Sequence, residues 1–265
     1  MKPAKTPLAV TAVALLLPIA PAGADVAVDS EDWQFGARVY AWLPDVDGTV
    51  RFPIPGAPGQ SISASASDIL DKLEFTFMGS LTARKGRLSF LTDVIYLDLG
   101  DSNRTTLDTP GPGPGVKTEV RMSMESWIWN LAAAYTVAYS DSFNLDFLAG
   151  VRMLDMDNEL RLQASSEVLP IARTNTLRAG ETLWDGVVGV KGRFEITDSL
   201  FIPYYADVGT GDSDLTWQAM TGLGYEFSWG AVTLTYRHLE YDQGRGKAIE
   251  DLGFGGPALG LNFRF

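Results

Sequence analysis

The 265-residue chain contains no cysteine and only one histidine, His238. Without cysteine there can be neither a disulfide nor a thiolate metal site, so the fold needs no covalent cross-link. After the N-terminal segment, no apolar run reaches the ~20 residues that a membrane-spanning helix requires. Basic residues are also scarce, with 21 lysines and arginines against 33 acids and a net charge of −12. This balance argues against a nucleic-acid partner, which would require basic patches.

The first 24 residues have the pattern of a cleavable secretory signal. Lys2 and Lys5 make a basic start, Leu8 to Leu17 is an apolar run, and residues 22–24 form an A-x-A cleavage site. We therefore expect residues 1–24 to be removed after export. Residues 25–265 contain no linker and are predicted to form a single domain.

Apolar residues, which make up 46% of the chain, recur with a period of two and therefore predict β-strands. In the first strand, Trp33 to Leu43, apolar side chains occupy one face, while Arg38 and Tyr40 lie on the other. Ten such segments follow one another. They are residues 33–43, about 73–83, about 87–99, one ending near 139, one beginning near 143, 184–194, 200–206, 215–227, 232–236 and 257–265.

The connections between these segments alternate strictly between short and long. Short turns lie at residues 85–86, 140–142, 197–199 and 228–230, and longer loops at about 44–72, 100–117, 163–180, 209–214 and 244–255. Tight periplasmic turns alternating with longer outer loops are typical of outer-membrane β-barrels. The preferred count is ten strands. Eight would follow if the short segment with Pro203 is not a strand, and twelve if residues 48–54 and 61–66 form an extra hairpin.

The tail of the chain is its most informative segment. Leu259, Leu261, Phe263 and Phe265 share one face of an extended strand, and small or polar residues occupy the other. This tail resembles the last strand of small Gram-negative outer-membrane barrels, a class that includes OmpA-like and opacity-type proteins. The resemblance implies an all-β, antiparallel transmembrane barrel in the outer membrane. It also implies contact with lipid and lipopolysaccharide, recognition of the tail by the barrel-assembly machinery, and no cofactor.

Charged side chains of both signs have inward parity in this pattern. In the narrow lumen of a ten-stranded barrel we expect opposite charges to pair, because isolated buried ions are costly. The alternative is a narrow channel that small polar solutes cross. The candidate lumen-lining residues are Arg38, Glu74, Arg84, Asp93, Asp146, Arg152, Asp185, Lys191, Arg193, Asp207, Glu226, Arg237 and Arg264.

His238 is the one candidate for catalysis. It shares a strand face with Glu240 and Asp242, an arrangement that can orient an imidazole. Ten-stranded barrels include the omptin surface proteases, whose His–Asp pair and second acidic pair activate water. Here His238 has lipid-facing parity, and the sequence offers no clear second acidic pair. We therefore predict neither catalytic residues nor a metal site. The expected role is structural, surface-interacting or weakly pore-forming, with a surface hydrolase using His238 as a further alternative.

Overall fold

The computed structural model describes residues 30–50, 60–108, 116–166, 172–244, 247 and 249–265. The predicted signal, residues 1–24, lies outside this set. Strands dominate the described elements, and no helix among them is long and apolar enough to cross a membrane. The elements are β1 (Trp33–Trp42), β2 (Asp45–Val50), β3 (Gln60–Ala64), α1 (Ala66–Lys72), β4 (Leu73–Lys85), β5 (Leu88–Asp108), β6 (Val116–Ser140), β7 (Phe143–Ser166), β8 (Ala172–Glu195), β9 (Leu200–Gly211), β10 (Leu215–Phe227), β11 (Gly230–Asp242) and β12 (Ile249–Arg264).

Ten strands close into an antiparallel barrel. Around the ring, β1 pairs with β4, each strand from β4 to β12 pairs with the next, and β12 pairs back with β1. At the closing seam Val39 lies opposite Leu261, and Phe35 and Phe265 exchange backbone hydrogen bonds of 2.9 and 3.0 Å. The predicted fold and the count of ten strands are confirmed.

The extra hairpin predicted under the twelve-strand alternative does form, but it adds no strand to the ring. Beyond β1, the Leu43 N–H donates to the Pro257 carbonyl at 3.0 Å, and Asp45 then lies opposite Gly255. Strand β2 therefore continues the path of β1 along β12, and β3 pairs with β2. The helix α1 lies between β3 and β4 in the chain, and among the described strands β3 pairs with β2 alone, whereas β4 pairs with β1 and β5.

Four neighbouring strands are longer than predicted. Strands β5, β6, β7 and β8 contain 21, 25, 24 and 24 residues, although a strand crosses a membrane with about 9–11. The predicted loops at 100–117 and 163–180 are therefore wrong over most of their described length. Beyond the lipid a strand needs no apolar face, so the period-two signal ends before the strand does. These four strands project past the rim of the barrel at its loop end.

The outer wall of the barrel is apolar. Val39, Leu81, Phe147, Val188 and Leu234 are each more than half exposed, as expected of side chains that face lipid. Exposed aromatic rings lie near both ends of the strands. Trp127 and Trp184 lie toward the loop end, and Tyr139, Phe194 and Phe227 toward the turn end. Two aromatic belts match the two interfaces of a membrane.

Candidate functional site

A cluster of buried apolar side chains lies inside the barrel toward its loop end. Trp42 and Phe254 approach with ring centroids 6.1 Å apart, and Ile69 of α1 is buried in the same cluster. The Ala66 N–H at the start of this helix donates to Asp45 Oδ1 at 2.7 Å. Through Ile69, α1 contributes a buried side chain to this cluster. The other members include Tyr40, Val46, Met78, Ile95, Leu97, Met124, Ile128, Leu154, Met156, Leu183, Leu239, Tyr241 and Leu252.

An arginine–aspartate pair lies deep inside the barrel. Arg152 Nη2 is 2.5 Å from Asp207 Oδ2, and both side chains are completely buried. The remaining donors of Arg152 reach Asn130 Oδ1 at 2.7 Å and Thr216 Oγ1 at 3.0 Å. The Tyr205 hydroxyl donates to the same carboxylate at 2.5 Å. Residues of four strands, β6, β7, β9 and β10, thus surround this ion pair.

A second network joins β1, β5, β10 and β11 across the interior. Arg237 Nη2 lies 3.0 Å from Asp93 Oδ2, and its Nη1 donates to the Tyr40 hydroxyl at 2.9 Å. The Tyr40 hydroxyl donates in turn to Asp93 Oδ1 at 2.8 Å. Gln218 Oε1 accepts from Arg237 Nε and Nη2, and the guanidinium lies 4.9 Å from the Trp42 ring. Neutral partners therefore complete the coordination of this arginine.

Toward the turn end, Asp146 bridges two cations. Its Oδ2 lies 2.6 Å from Arg84 Nη2 and 3.5 Å from Lys191 Nζ. The Thr136 hydroxyl donates to Asp146 Oδ1 at 2.6 Å and accepts from Arg84 Nη1 at 2.7 Å. The Asn144 side-chain amide donates to Asp146 Oδ1 at 3.5 Å, so this buried carboxylate has four partners.

At the mouth of the turn end, Glu226 likewise serves two arginines. Its Oε1 accepts from Arg193 Nη1 at 2.6 Å and from Arg264 Nη2 at 2.7 Å. Glu195 forms a further ion pair with Arg193. These side chains are between 15% and 35% exposed, so this end is wetter than the layers above it.

Two of the predicted lumen residues form no ion pair within the described part of the chain, and the side chain of a third is not described. Asp185 is buried and accepts from the N–H and the hydroxyl of Ser213 at 2.9 and 2.8 Å. Arg38 stacks 4.9 Å from the Tyr40 ring and approaches Met220 Sδ at 3.8 Å. Among the described residues, its Nε and Nη2 have no acceptor. The side chain of Glu74, in β4, lies outside the described set.

The tail residues close the ring at β12. Leu259 and Leu261 are exposed on the outer wall. The Phe263 ring packs 5.6 Å from Trp229, and the Phe265 ring 6.4 Å from Phe35.

His238 lies on the outer wall in an open groove of about 300 Å³. Its Nε2 is 3.2 Å from Glu240 Oε2, and its ring packs 4.7 Å from Trp217. Across the groove, on β2, are Asp45 and Asp47. The ladder places Gly255 between His238 and Asp45, and Gly253 between Glu240 and Asp47.

The groove brings two acids from another strand, Asp45 and Asp47, to the same surface as His238. A β-carbon on Gly255 would come within 3.0 Å of His238 Nδ1 and 3.2 Å of the Tyr236 hydroxyl, so the glycine leaves room for these two groups. Sequence reasoning missed the opposing acids because they lie almost 200 positions away in the chain. Among the described residues, no group of three or more His, Asp or Glu side chains has the geometry of a metal site.

Comparison with known proteins assigns the chain to no family. No family model and no curated protein matches the chain. Among solved structures, the outer-membrane protease OmpT of Escherichia coli is 11% identical, with 89% of this chain and 97% of that chain covered and a TM-score of 0.49. The attachment invasion locus protein Ail of Yersinia pestis is 9% identical, with 89% and 99% covered and a TM-score of 0.34. The N-terminal barrel domain of OprF from Pseudomonas aeruginosa is 7% identical, with 88% and 98% covered and a TM-score of 0.30. At these values none of the likenesses assigns an activity.

The fold and the distribution of side chains define a small transmembrane β-barrel with an apolar wall and a filled interior. Of the charged groups inside, most are held in ion pairs or by neutral hydrogen-bond donors. Outside the lumen, the groove beside His238 is a further accessible site.

Proposed function

We propose that the protein is an integral outer-membrane barrel that acts through its outer surface and conducts no solute. The observation that carries this proposal is the filling of the interior, by the Arg152–Asp207 and Arg237–Asp93 pairs and by the apolar cluster around Trp42 and Ile69. A solute path needs hydrated, unpaired groups, whereas paired and buried charges exclude water. The predicted export signal and the tail strand support location in the outer membrane.

Conductance of the refolded barrel in a planar bilayer tests this proposal. Folding is established first by gel mobility, since a stable barrel migrates differently before and after boiling. We expect no steady single-channel steps from the folded protein. Reproducible open steps would refute the closed interior, and would instead support the narrow channel for small polar solutes. In that case, ion selectivity after Arg38→Gln would identify whether this arginine lines the path.

The groove beside His238 supports a second candidate, a surface hydrolase. The imidazole contacts Glu240 through Nε2 at 3.2 Å, its Nδ1 faces the space above Gly255, and Asp45 and Asp47 form the opposite wall. An imidazole oriented by a carboxylate can take a proton from water. Asp45, however, already accepts the N–H of Ala66 in α1, which gives it a structural role.

Hydrolysis by the barrel is tested with a fluorogenic peptide library and with lipid esters in micelles. Cleavage by the wild type that is lost in His238→Ala, and retained in the matched surface variant Lys247→Gln, would support the hydrolase. No cleavage of either class, or equal cleavage by His238→Ala, would eliminate His238 as the base for those substrates.

A further inference from the structure

The interior of the barrel toward its turn end holds more cations than carboxylates. Asp146 and Glu226 each serve two cations there. Glu195, the third carboxylate, pairs with an arginine that Glu226 already binds. The described cations of this region are Arg38, Arg84, Lys191, Arg193 and Arg264. Five cations against three carboxylates leave an excess of two positive charges, in a chain whose net charge is −12.

Arg38 is the cation of this region whose charge is least compensated. Among the described residues, its Nε and Nη2 have no acceptor, and its Nη1 meets the sulfur of Met220 at 3.8 Å. Asp93 is the carboxylate that acts on Arg38, but both of its oxygens are engaged, by Arg237 at 3.0 Å and by the Tyr40 hydroxyl at 2.8 Å. A thioether is only a weak acceptor. The guanidinium therefore lacks a counter-ion, which is costly for a charge inside a protein.

Lys191 is a second cation with donors to spare. An ammonium group can donate three hydrogen bonds, and in the described part of the chain the carboxylate that Lys191 meets is Asp146, at 3.5 Å. The same Asp146 oxygen lies closer to Arg84, at 2.6 Å. The Lys191 side chain is 20% exposed, so its remaining donors are open to solvent inside the barrel.

The strand ladder places Arg38 and Lys191 around one part of the lumen. Lys191 lies opposite Tyr205, and Tyr205 lies opposite Met220 on the next strand. Two strand spacings, about 10 Å, therefore separate Lys191 from Met220, and the Arg38 guanidinium reaches Met220 from β1. Glu74, whose side chain is not described, lies six residues along β4 from the position opposite Arg38, roughly 20 Å toward the loop end. Both cations are thus within reach of one small ion.

This part of the lumen contains space that water can enter. A side chain on the inner face of a closed barrel can be exposed only to space inside the barrel. Ser80, Thr82 and Met220 have inward parity and are partly exposed, and the Asp93 side chain is 15% exposed. Toward the loop end this space meets the buried apolar cluster. Toward the turn end it leads to the wetter mouth around Glu226.

We propose that the turn-end half of the lumen is a blind, hydrated vestibule in which Arg38 and Lys191 bind a small inorganic anion, such as chloride or phosphate. The excess of positive charge sets the sign of the ligand, and the narrow lumen of a ten-stranded barrel limits its size. Guanidinium and ammonium groups form strong, charge-assisted hydrogen bonds with such ions. The anion enters from the turn end, which is predicted to face the periplasm. The site goes beyond the proposed surface role and needs no path through the barrel.

Titration of the refolded barrel with sodium chloride and, separately, with sodium phosphate tests the site. The side-chain N–H signals of the arginines are followed by NMR in micelles, and sodium gluconate, whose anion is bulky, keeps the ionic strength constant. We expect the Arg38 Nε–H signal to shift and to saturate with at least one of the two anions. The Arg152 signal should not move, because Asn130, Thr216 and Asp207 already accept from its guanidinium.

Two lumen variants and one matched control separate the site from a general charge effect. Lys191→Gln should weaken anion binding by about tenfold or more, because one charge-assisted hydrogen bond is lost. Arg38→Gln should abolish the broadening that the wild-type barrel causes in the chlorine or phosphorus NMR signal of the anion. Arg178→Gln changes the net charge equally but removes an arginine that is 79% exposed, and should bind as the wild type does. Gel mobility before and after boiling confirms that each variant is folded.

Three results would overturn the proposal. These are an Arg38 signal that does not saturate with either anion, equal shifts of the Arg38 and Arg152 signals, and equal affinities of Lys191→Gln and Arg178→Gln. Open channels in the bilayer experiment would refute the closed barrel, but they would leave saturation of the Arg38 signal unaltered. The two failures are therefore distinguishable.

Discussion

Removing one partner of the buried Arg152–Asp207 pair should destabilise the barrel far more than removing both. In Asp207→Leu, the guanidinium of Arg152 keeps only the neutral acceptors Asn130 and Thr216. Both charged side chains are completely buried, so water cannot replace the lost carboxylate. Breaking such a pair costs about 3–5 kcal/mol. The double variant Arg152→Met with Asp207→Leu leaves no unpaired charge at this position and should recover most of this loss.

The assay is urea unfolding of the barrel in lipid vesicles, followed by the fluorescence of its seven tryptophans. With an m-value of about 3 kcal/mol/M, the single variant should shift the midpoint by roughly 1–1.7 M. Arg178→Met is the matched control. It removes an arginine that is 79% exposed and 3.0 Å from Glu159, and such surface pairs contribute about 0.2–1 kcal/mol.

The reasoning fails if Asp207→Leu alone costs no more than Arg178→Met. It also fails if the double variant costs the sum of Asp207→Leu and Arg152→Met measured separately, since additivity would mean that the two charges do not interact. Equal m-values for all variants are required, so that midpoint shifts report stability and not a change in the unfolded state.

Other substitutions test the wall, the apolar cluster and the groove. Gly222→Ala should lower the free energy of unfolding, because the added β-carbon would come within 2.1 Å of the Leu234 carbonyl oxygen. Gly36→Ala should be tolerated, because the nearest atom to its β-carbon would be 3.5 Å away. The urea midpoints of the two variants test this difference. Phe254→Ala should cost about 3–5 kcal/mol by removing a buried ring, and an unchanged midpoint would contradict the packed interior. His238→Ala should cost less than about 1 kcal/mol, because the bond to Glu240 is partly exposed; a loss as large as that of Phe254→Ala would mean that the groove is structural.

The wall of the barrel could be predicted from the sequence because its cause is local. Successive side chains of a strand point to opposite faces, so lipid on one side and the lumen on the other leave a period of two in the sequence. This alternation gave the ten strands, the closing strand at Leu259–Phe265 and the inward parity of Arg152 and Asp207. It failed at residues 100–117 and 163–180, because strands that leave the membrane have no lipid face to mark them.

The contents of the lumen and the surface sites depended on tertiary structure. Parity shows that Arg152 points inward, but the tilt and shear of the strands decide that it meets Asp207 and that Arg237 meets Asp93. Pairings between residues 55 and 144 positions apart leave no local signal. The period of two also determined that His238 and Glu240 share the outward face of their strand. Asp45 and Asp47 come to lie across from them only because β2 pairs with β12 on the far side of the ladder.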